Sequence, residues 1–268
     1  MTATGRLSTS SPNFQNIPIR TEDGKEIRKA IKAQSNEYQI FSADYSQVEL
    51  RVMAHLSGDK SLISALNNGE DIHTFTAKNI FNVDNDDMVL PEMRRIAKIV
   101  NFGIMYGAGP FRLSQELDIP FGEAKQIKDA YFEKYQGIEK YIENSKLQIK
   151  ETKSVETLLG RKRAVWDSDS QNKIRRDAAE RMAINMPIQG TAAEMIKLAM
   201  IKIHRQMNKE NLKSKLIMQI HDELLLEVHQ DEIDYISKMV IEHMRDAMKL
   251  DVPIEIDFGV GPSWYGAH

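Results

Sequence analysis

The chain has 268 residues, 41% of them hydrophobic, enough to bury one sizeable core or two modest ones. Its formal net charge of −3 gives no global attraction to a polyanion, so any nucleic-acid contact must come from local basic clusters and weaken with salt. Zero cysteines exclude disulfides, zinc thiolate sites and cysteine nucleophiles, and no stretch is apolar enough to span a bilayer or form a signal peptide, so a cytoplasmic protein is expected.

In chain order, residues 38–44 read as a strand, Gln39-Ile-Phe-Ser-Ala delivering Asp44 at its end. Ser46-Gln-Val-Glu49 has the spacing of a capping box and marks a helix start. Helical patterns then dominate from Gln47 to about Asn208. Pro91 predicts one helix start, because its missing N–H does no harm in the first turn. Arg94, Lys98, Phe102 and Tyr106 follow at intervals of four along one slowly spiralling face. Two cations nearer the start suit phosphates, and two aromatics beyond them suit a base or sugar. The same stripe also reads as an amphipathic helix with a solvated cationic edge. Gly103, which costs about 1 kcal/mol relative to alanine inside a helix, suggests a close approach there.

From Lys153 to Asp167, Gly160 and β-branched residues predict a short hairpin or loop. Arg161-Lys-Arg163 and Arg175-Arg176 are basic clusters suited to phosphates, and the acidic stretches Glu70-Asp71 and Asp84 to Asp87 offset them. A helical stretch from Ala178 to Glu194 is expected to break at Pro187, with a second helix starting at the capping-box spacing of Thr191 and Glu194 and running to about Asn208. Arg181, Asn185 and Gln189, four apart, form a hydrogen-bonding stripe that could line a minor groove or simply face solvent. Residues 215–229 read as two strands with His221, Asp222 and Glu223 at their tip, followed by a helix from Ile233 to Leu250 and a strand at roughly 253–260. One antiparallel sheet from the chain ends and a helical middle define an α+β class.

Asp44, Asp222 and Glu223 stand at the tips of strand-like runs that folding could bring together. Two unit charges about 4 Å apart repel by roughly 4 kcal/mol at an effective dielectric near 20, so such a cluster calls for a cation. Magnesium favours oxygen ligands, keeps several waters and is commonly held by one or two carboxylates plus substrate phosphates. A pair of such ions can serve both oxygens of an in-line displacement at phosphorus. Either acidic segment alone would be an ordinary polar tip.

Read jointly and in order, Asp44-Tyr-Ser-Gln-Val-Glu-Leu-Arg51, Arg94-Arg-Ile-Ala-Lys98 running into Asn101-Phe-Gly-Ile-Met-Tyr-Gly107, the Ala-Glu-Arg-x-Ala-Ile-Asn-x-Pro-x-Gln-Gly run beginning at Ala179, and Gln219-Ile-His-Asp-Glu223 resemble the family A, bacterial DNA polymerase I-type enzymes. The resemblance covers the C-terminal palm and fingers portion, from Thr4-Gly-Arg-Leu-Ser8 almost to the last residue. It implies an antiparallel palm sheet with a large, mainly helical fingers insertion: residues 1–56 as the first part of the palm, 57–178 as fingers, and 179–268 as the second part of the palm with the catalytic hairpin. Thumb and exonuclease domains, and with them proofreading, are expected to be absent. The implied activity is template-directed addition of deoxynucleotides to a primer 3′-OH with two magnesium ions.

By the same resemblance Asp44, Asp222 and Glu223 are catalytic, the first two holding metal with the carbonyl of Tyr45. Gln47, Glu49, His73, Arg94, Lys98, Phe102 and Tyr106 serve the incoming dNTP, Glu49 closing the space of a ribose 2′-hydroxyl. Arg6, Asn13, Gln15, Asn16, Arg181, Asn185, Gln189 and His221 contact primer-template DNA. A monomer is expected; whether a separate chain supplies a thumb or exonuclease is open. Phe102, where a tyrosine would admit dideoxynucleotides, implies their poor acceptance. The pattern departs at Ala108-Gly109-Pro110 and at Trp166, where relatives often have proline. An inactive DNA-binding remnant is the alternative, and a single-subunit RNA polymerase is disfavoured by Glu49 and the stripe from Arg94 to Tyr106.

Overall fold

A computed structural model describes residues 2, 4–11, 13–17 and 21–268. In chain order its elements are α1 (Glu22–Ala30), β1 (Tyr38–Tyr45), α2 (Val48–Ser57), α3 (Lys60–Asn67), α4 (Ile72–Phe81), α5 (Pro91–Met105), α6 (Pro110–Leu117), α7 (Phe121–Lys134), α8 (Gln136–Thr152), β2 (Ser154–Glu156), β3 (Lys162–Ala164), α9 (Lys173–Lys209), β4 (Lys215–Ile220), β5 (Glu223–His229), α10 (Ile233–Arg245) and β6 (Ile256–Gly261). They form an α+β chain of two compact units, one comprising Met1–Val48, Gly190–Lys249 and Ile254–His268, the other Glu49–Gln189 and Leu250–Pro253.

The first unit is built on a sheet of order β4-β5-β1-β6, every neighbouring pair antiparallel. Leu224, Leu225, Leu226 and Val228 of β5 are fully buried, each side chain contributing about 1.5–3 kcal/mol of hydrophobic stabilisation. Their unbroken apolar run follows from cover on both faces. Leu225 packs with Ile40, Ile220, Trp264 and Ala267, while α10 packs against β1 and β5. β4 and β5 are joined by the two residues His221 and Asp222, with His221 in the left-handed region at φ 51 and a register shift between Leu216 and Met218. That tight reversal fixes which residue meets β1.

The second unit is helical, with the small β2–β3 hairpin turned at Gly160, whose φ of +78 glycine adopts freely. Helices α4 and α5 pack closely, and Thr76, Asn101 and Tyr135 are buried together with their polar groups paired: Thr76 Oγ1 lies 2.8 Å from Tyr135 Oη and 3.1 Å from Asn101 Nδ2. Pro91 opens α5 as its sequence predicts. Asp59 caps α3 by accepting the Leu62 N–H at 2.9 Å and also takes the Gly137 N–H at 2.8 Å.

Three expectations change. Helix α9 continues through Pro187 to Lys209. Ala183, Ile184, Met186 and Ile188 around the proline are buried, so packing holds the helix where an exposed one would break, and the Tyr141 hydroxyl donates to the Ile184 carbonyl at 3.2 Å beside the missing N–H. Thr191 accordingly lies completely buried within the helix and starts nothing. Helix α10 ends at Arg245, short of Leu250, where the Lys202 ammonium donates to the Asp246 carbonyl at 2.8 Å. The close approach expected at Gly103 is present: a Cβ there would lie 3.0 Å from Leu113 Cδ2 of α6.

A Cβ on Gly137 would lie 2.6 Å from the Asp59 Cα. Gly137→Ala is therefore expected to lower stability by about 1–3 kcal/mol in a denaturant titration, whereas Gly122→Ala, with open space at its Cβ and a helical backbone, should leave stability equal or raised.

Candidate active site

On the first unit, the register of β1 with β5 sets Asp44 directly opposite Glu223, and that of β1 with β6 sets Asp44 opposite Asp257. The Tyr45 N–H donates to the Asp222 carbonyl at 3.2 Å, fixing the hairpin tip against the end of β1. Acidic residues far apart along the chain thus meet at one end of the sheet. Burial pushes the Asp44 carboxyl up to about 7, and the charges of Glu223 and Asp222 add to the rise. Glu223 goes the other way. Burial alone would raise it, but hydrogen bonds from His268, Ser42 and Trp264 hold it below the ordinary carboxylate value. Its Oε1 accepts from Ser42 Oγ at 2.6 Å and Trp264 Nε1 at 2.8 Å, with His268 Nε2 at 3.5 Å. Arg28 lies buried over the Trp264 ring, its guanidinium carbon 4.1 Å from the centroid. Burial lowers that guanidinium and the charges of Glu223 and Asp44 oppose the drop, so a cation backs the carboxylates.

A cavity of about 360 Å³ opens beside Asp44, lined in part by Ser42, Asp257, Phe258 and His268. Among the described residues no group of three or more His, Cys, Asp and Glu is gathered to hold a metal ion unaided. Glu223 Oε1 is engaged by its donors, and Asp44, Asp222 and Asp257 are the other carboxylates at this end of the sheet. Two carboxylates, with water, backbone carbonyl and phosphate completing the shell, match magnesium's habit rather than that of a closed protein cage.

On the second unit, α5 carries the four-residue stripe as its sequence predicts. Arg94 and Lys98 are exposed, Phe102 and Tyr106 half-buried. The rings of Phe102 and Tyr106 stack with centroids 6.3 Å apart, and His73 of α4 lies 5.7 Å from Phe102. The Tyr106 hydroxyl donates to Glu49 Oε2 at 2.6 Å, so Glu49 serves this aromatic end, while the Ser46 N–H of the capping-box spacing donates to the Glu255 carbonyl at 3.0 Å. His73 is buried, its Nδ1 3.1 Å from Asn101 Nδ2. With the amide donating, Nδ1 accepts, and the neutral ring carries its hydrogen on Nε2. Burial pushes His73 down to about 4, Arg94 and Lys98 adding to the effect against Asp71. Gln47 sits at φ 51 in the turn before α2.

Of the residues expected to meet DNA, Asn13 accepts the Gln15 N–H at 3.1 Å, the Gln15 side chain donates to the Leu7 carbonyl at 2.9 Å, and His221 Nε2 lies 2.9 Å from the Gln15 carbonyl, so the loop and the hairpin tip are joined. Asn16 is exposed and Arg6 half-buried in the same loop. Arg181, Asn185 and Gln189 are half-buried along α9, and the Asn185 Oδ1 is buried without a hydrogen-bond partner among the described residues, an acceptor still to be satisfied. The sequence reading assigned no role at these groups to Ser42, Trp264, His268, Asn101 or Asp257, and Asp71 stood only in an acidic stretch. Ser42 stands two residues before Asp44 on one strand face, a signal that was available; the others touch the site only through tertiary packing.

The chain belongs to DNA polymerase family A, whose family model matches residues 1–266. It is 48% identical over 267 residues to the DNA polymerase I of Bacillus subtilis, covering all of this chain and 30% of that protein. Over 266 residues it is 48% identical to the thermostable DNA polymerase I of Thermus filiformis, covering 99% of this chain and 32% of the relative. A solved structure of the polymerase domain of Pol1 from M. smegmatis, in complex with DNA primer-template and dNTP, superposes with a TM-score of 0.95 at 45% identity, covering all of this chain and 47% of that one. The chain thus spans about 30% of the length of the curated relatives it matches.

His73 gives a pH dependence. Its folded value of about 4 lies below the ordinary 6.5, so the stability contributed by keeping it neutral is complete above 6.5 and is lost as pH falls toward 4, of order 3 kcal/mol in all. A proton NMR titration of the His73 ring should give a midpoint near 4, and His73→Gln should flatten the fall in denaturant stability between pH 7 and 4; a midpoint near 6.5 contradicts the assignment.

Proposed function

We propose that the chain carries out template-directed DNA synthesis, adding deoxynucleotides to a primer 3′-OH. The observation that carries this reading is the strand register that gathers Asp44, Asp222 and Glu223 at one tip of the sheet. In this reading residues 1–56 and 179–268 serve as palm and 57–178 as fingers. A cytoplasmic, monomeric protein belongs to the same proposal.

Asp44 and Asp222, with the Tyr45 carbonyl, would hold two magnesium ions, which when bound lower the cost of both the attacking and the departing oxygen at phosphorus. The raised Asp44 carboxyl supports this, because a buried carboxylate beside two others gains most from a nearby cation. Glu223, tied by Ser42 and Trp264, positions the edge rather than offering ligands. Arg94 and Lys98 receive the triphosphate, Arg94 through its planar fork. His73 adds a neutral Nε2–H donor, Phe102 meets sugar and base, and Tyr106 lies near the templating position. Glu49, held by the Tyr106 hydroxyl, closes the space of a 2′-hydroxyl, and Gln47 completes the nucleotide contacts. Arg6, Asn13, Gln15, Asn16, Arg181, Asn185, Gln189 and His221 contact primer-template DNA; the open Asn185 acceptor supports one such contact.

Primer extension with magnesium tests the whole reading. Wild type should extend with dNTPs, Asp44→Ala and Asp222→Ala should lose at least about a hundredfold, the range of one essential electrostatic group, and Glu49→Ala should raise ribonucleotide incorporation. DNA binding without extension by the wild type would make the chain a DNA-binding remnant instead.

A further inference from the structure

The guanidinium of Arg94 is already engaged. Its Nε donates to Asp71 Oδ1 at 3.0 Å and its Nη2 to Asp71 Oδ2 at 2.7 Å, a two-pronged pairing in which both carboxylate oxygens face the fork. Asp71 is the residue before α4, and its Oδ1 also accepts the Thr74 N–H at 2.7 Å as the helix cap. Both members of the pair remain substantially exposed, with side chains 46% and 39% accessible. Around them, His73 is buried and bonded to Asn101, and Asn101 is bonded to Thr76, so the α4–α5 frame is fixed while the Arg94–Asp71 pair lies at its accessible edge.

We infer that Asp71 is a stand-in anion: it occupies the Arg94 fork until the triphosphate of an incoming nucleotide displaces it. This rests on the reading of Arg94 as a nucleotide ligand given above. A phosphate presents two oxygens to a guanidinium in the same fork geometry as a carboxylate, so the two compete for one set of donors. The exchange is easy in one direction. An exposed carboxylate pair is weak because water solvates both partners well, whereas a polyphosphate offers several charges and can also draw in Lys98, one turn further along α5. Asp71 keeps its cap to Thr74 after Arg94 leaves, so displacement costs α4 nothing. The pair therefore occupies the Arg94 fork at the expense of apparent nucleotide affinity.

The test is Asp71→Asn, which preserves the helix cap, since asparagine caps as well as aspartate, but loses the charge that competes. Unchanged thermal melting checks that α4 is intact. Binding of tripolyphosphate to the 268-residue chain, and the KM for dNTP in primer extension, should both tighten by roughly threefold, the scale of an exposed ion pair. Arg94→Ala should weaken both, and adding Asp71→Asn to Arg94→Ala should change neither further. Weaker binding in Asp71→Asn would overturn the proposal, because Asp71 would then be orienting Arg94 for the nucleotide rather than competing with it. If Arg94→Ala itself leaves both constants unchanged, the nucleotide role of Arg94 fails and the inference falls with it; weaker binding in Asp71→Asn alone leaves that role standing.

Discussion

The antiparallel register of β1 against β5 is the constraint on which the site depends. Side chains alternate along a strand, so a slip of one residue would turn Asp44 to the other face and bring Ala43 or Tyr45 opposite Glu223. What holds the register is apolar. Leu224, Leu225, Leu226 and Val228 are sealed between two layers, and the two-residue turn at His221 and Asp222 leaves no slack in the hairpin. The positive φ of His221, unusual for a residue other than glycine, is the local cost of aiming Asp222 beside the end of β1.

Two carboxylates facing each other across this register have opposite fates. Glu223 is ringed by donors, two of them, Ser42 and Trp264, within 2.8 Å, so it stays ionised despite burial. Asp44 has burial and two like charges acting on it and rises to about 7. Because its folded value is raised, the stability tied to its neutral form is complete below the ordinary 3.8 and is lost as pH rises through about 7. Above that pH the buried carboxylate is charged beside two others, an arrangement that a nearby cation would favour.

Much of this was legible in the sequence because it rests on local period and spacing. The strand ending at Asp44, the helix opened by Pro91, the stripe from Arg94 to Tyr106 and the hairpin bearing Asp222 all declare themselves within a few residues. Pro187 misled because a proline's effect on a helix depends on burial that sequence does not display. The close approach at Gly103 was legible, though not that Leu113 of α6 makes it. The partners Trp264, His268, Asp71 and Asn101 could not be read locally. Each acquires its role from a contact tens to hundreds of residues away or from another helix.

The central claim is that the β1–β5 register creates a cation site out of Asp44 and Asp222. Titration of the chain with manganese(II), followed by electron paramagnetic resonance in the absence of DNA, tests it most directly. The account predicts saturable binding by wild type that is lost in both Asp44→Asn and Asp222→Asn. Equal binding by all three proteins, or loss in only one variant, would contradict a shared site.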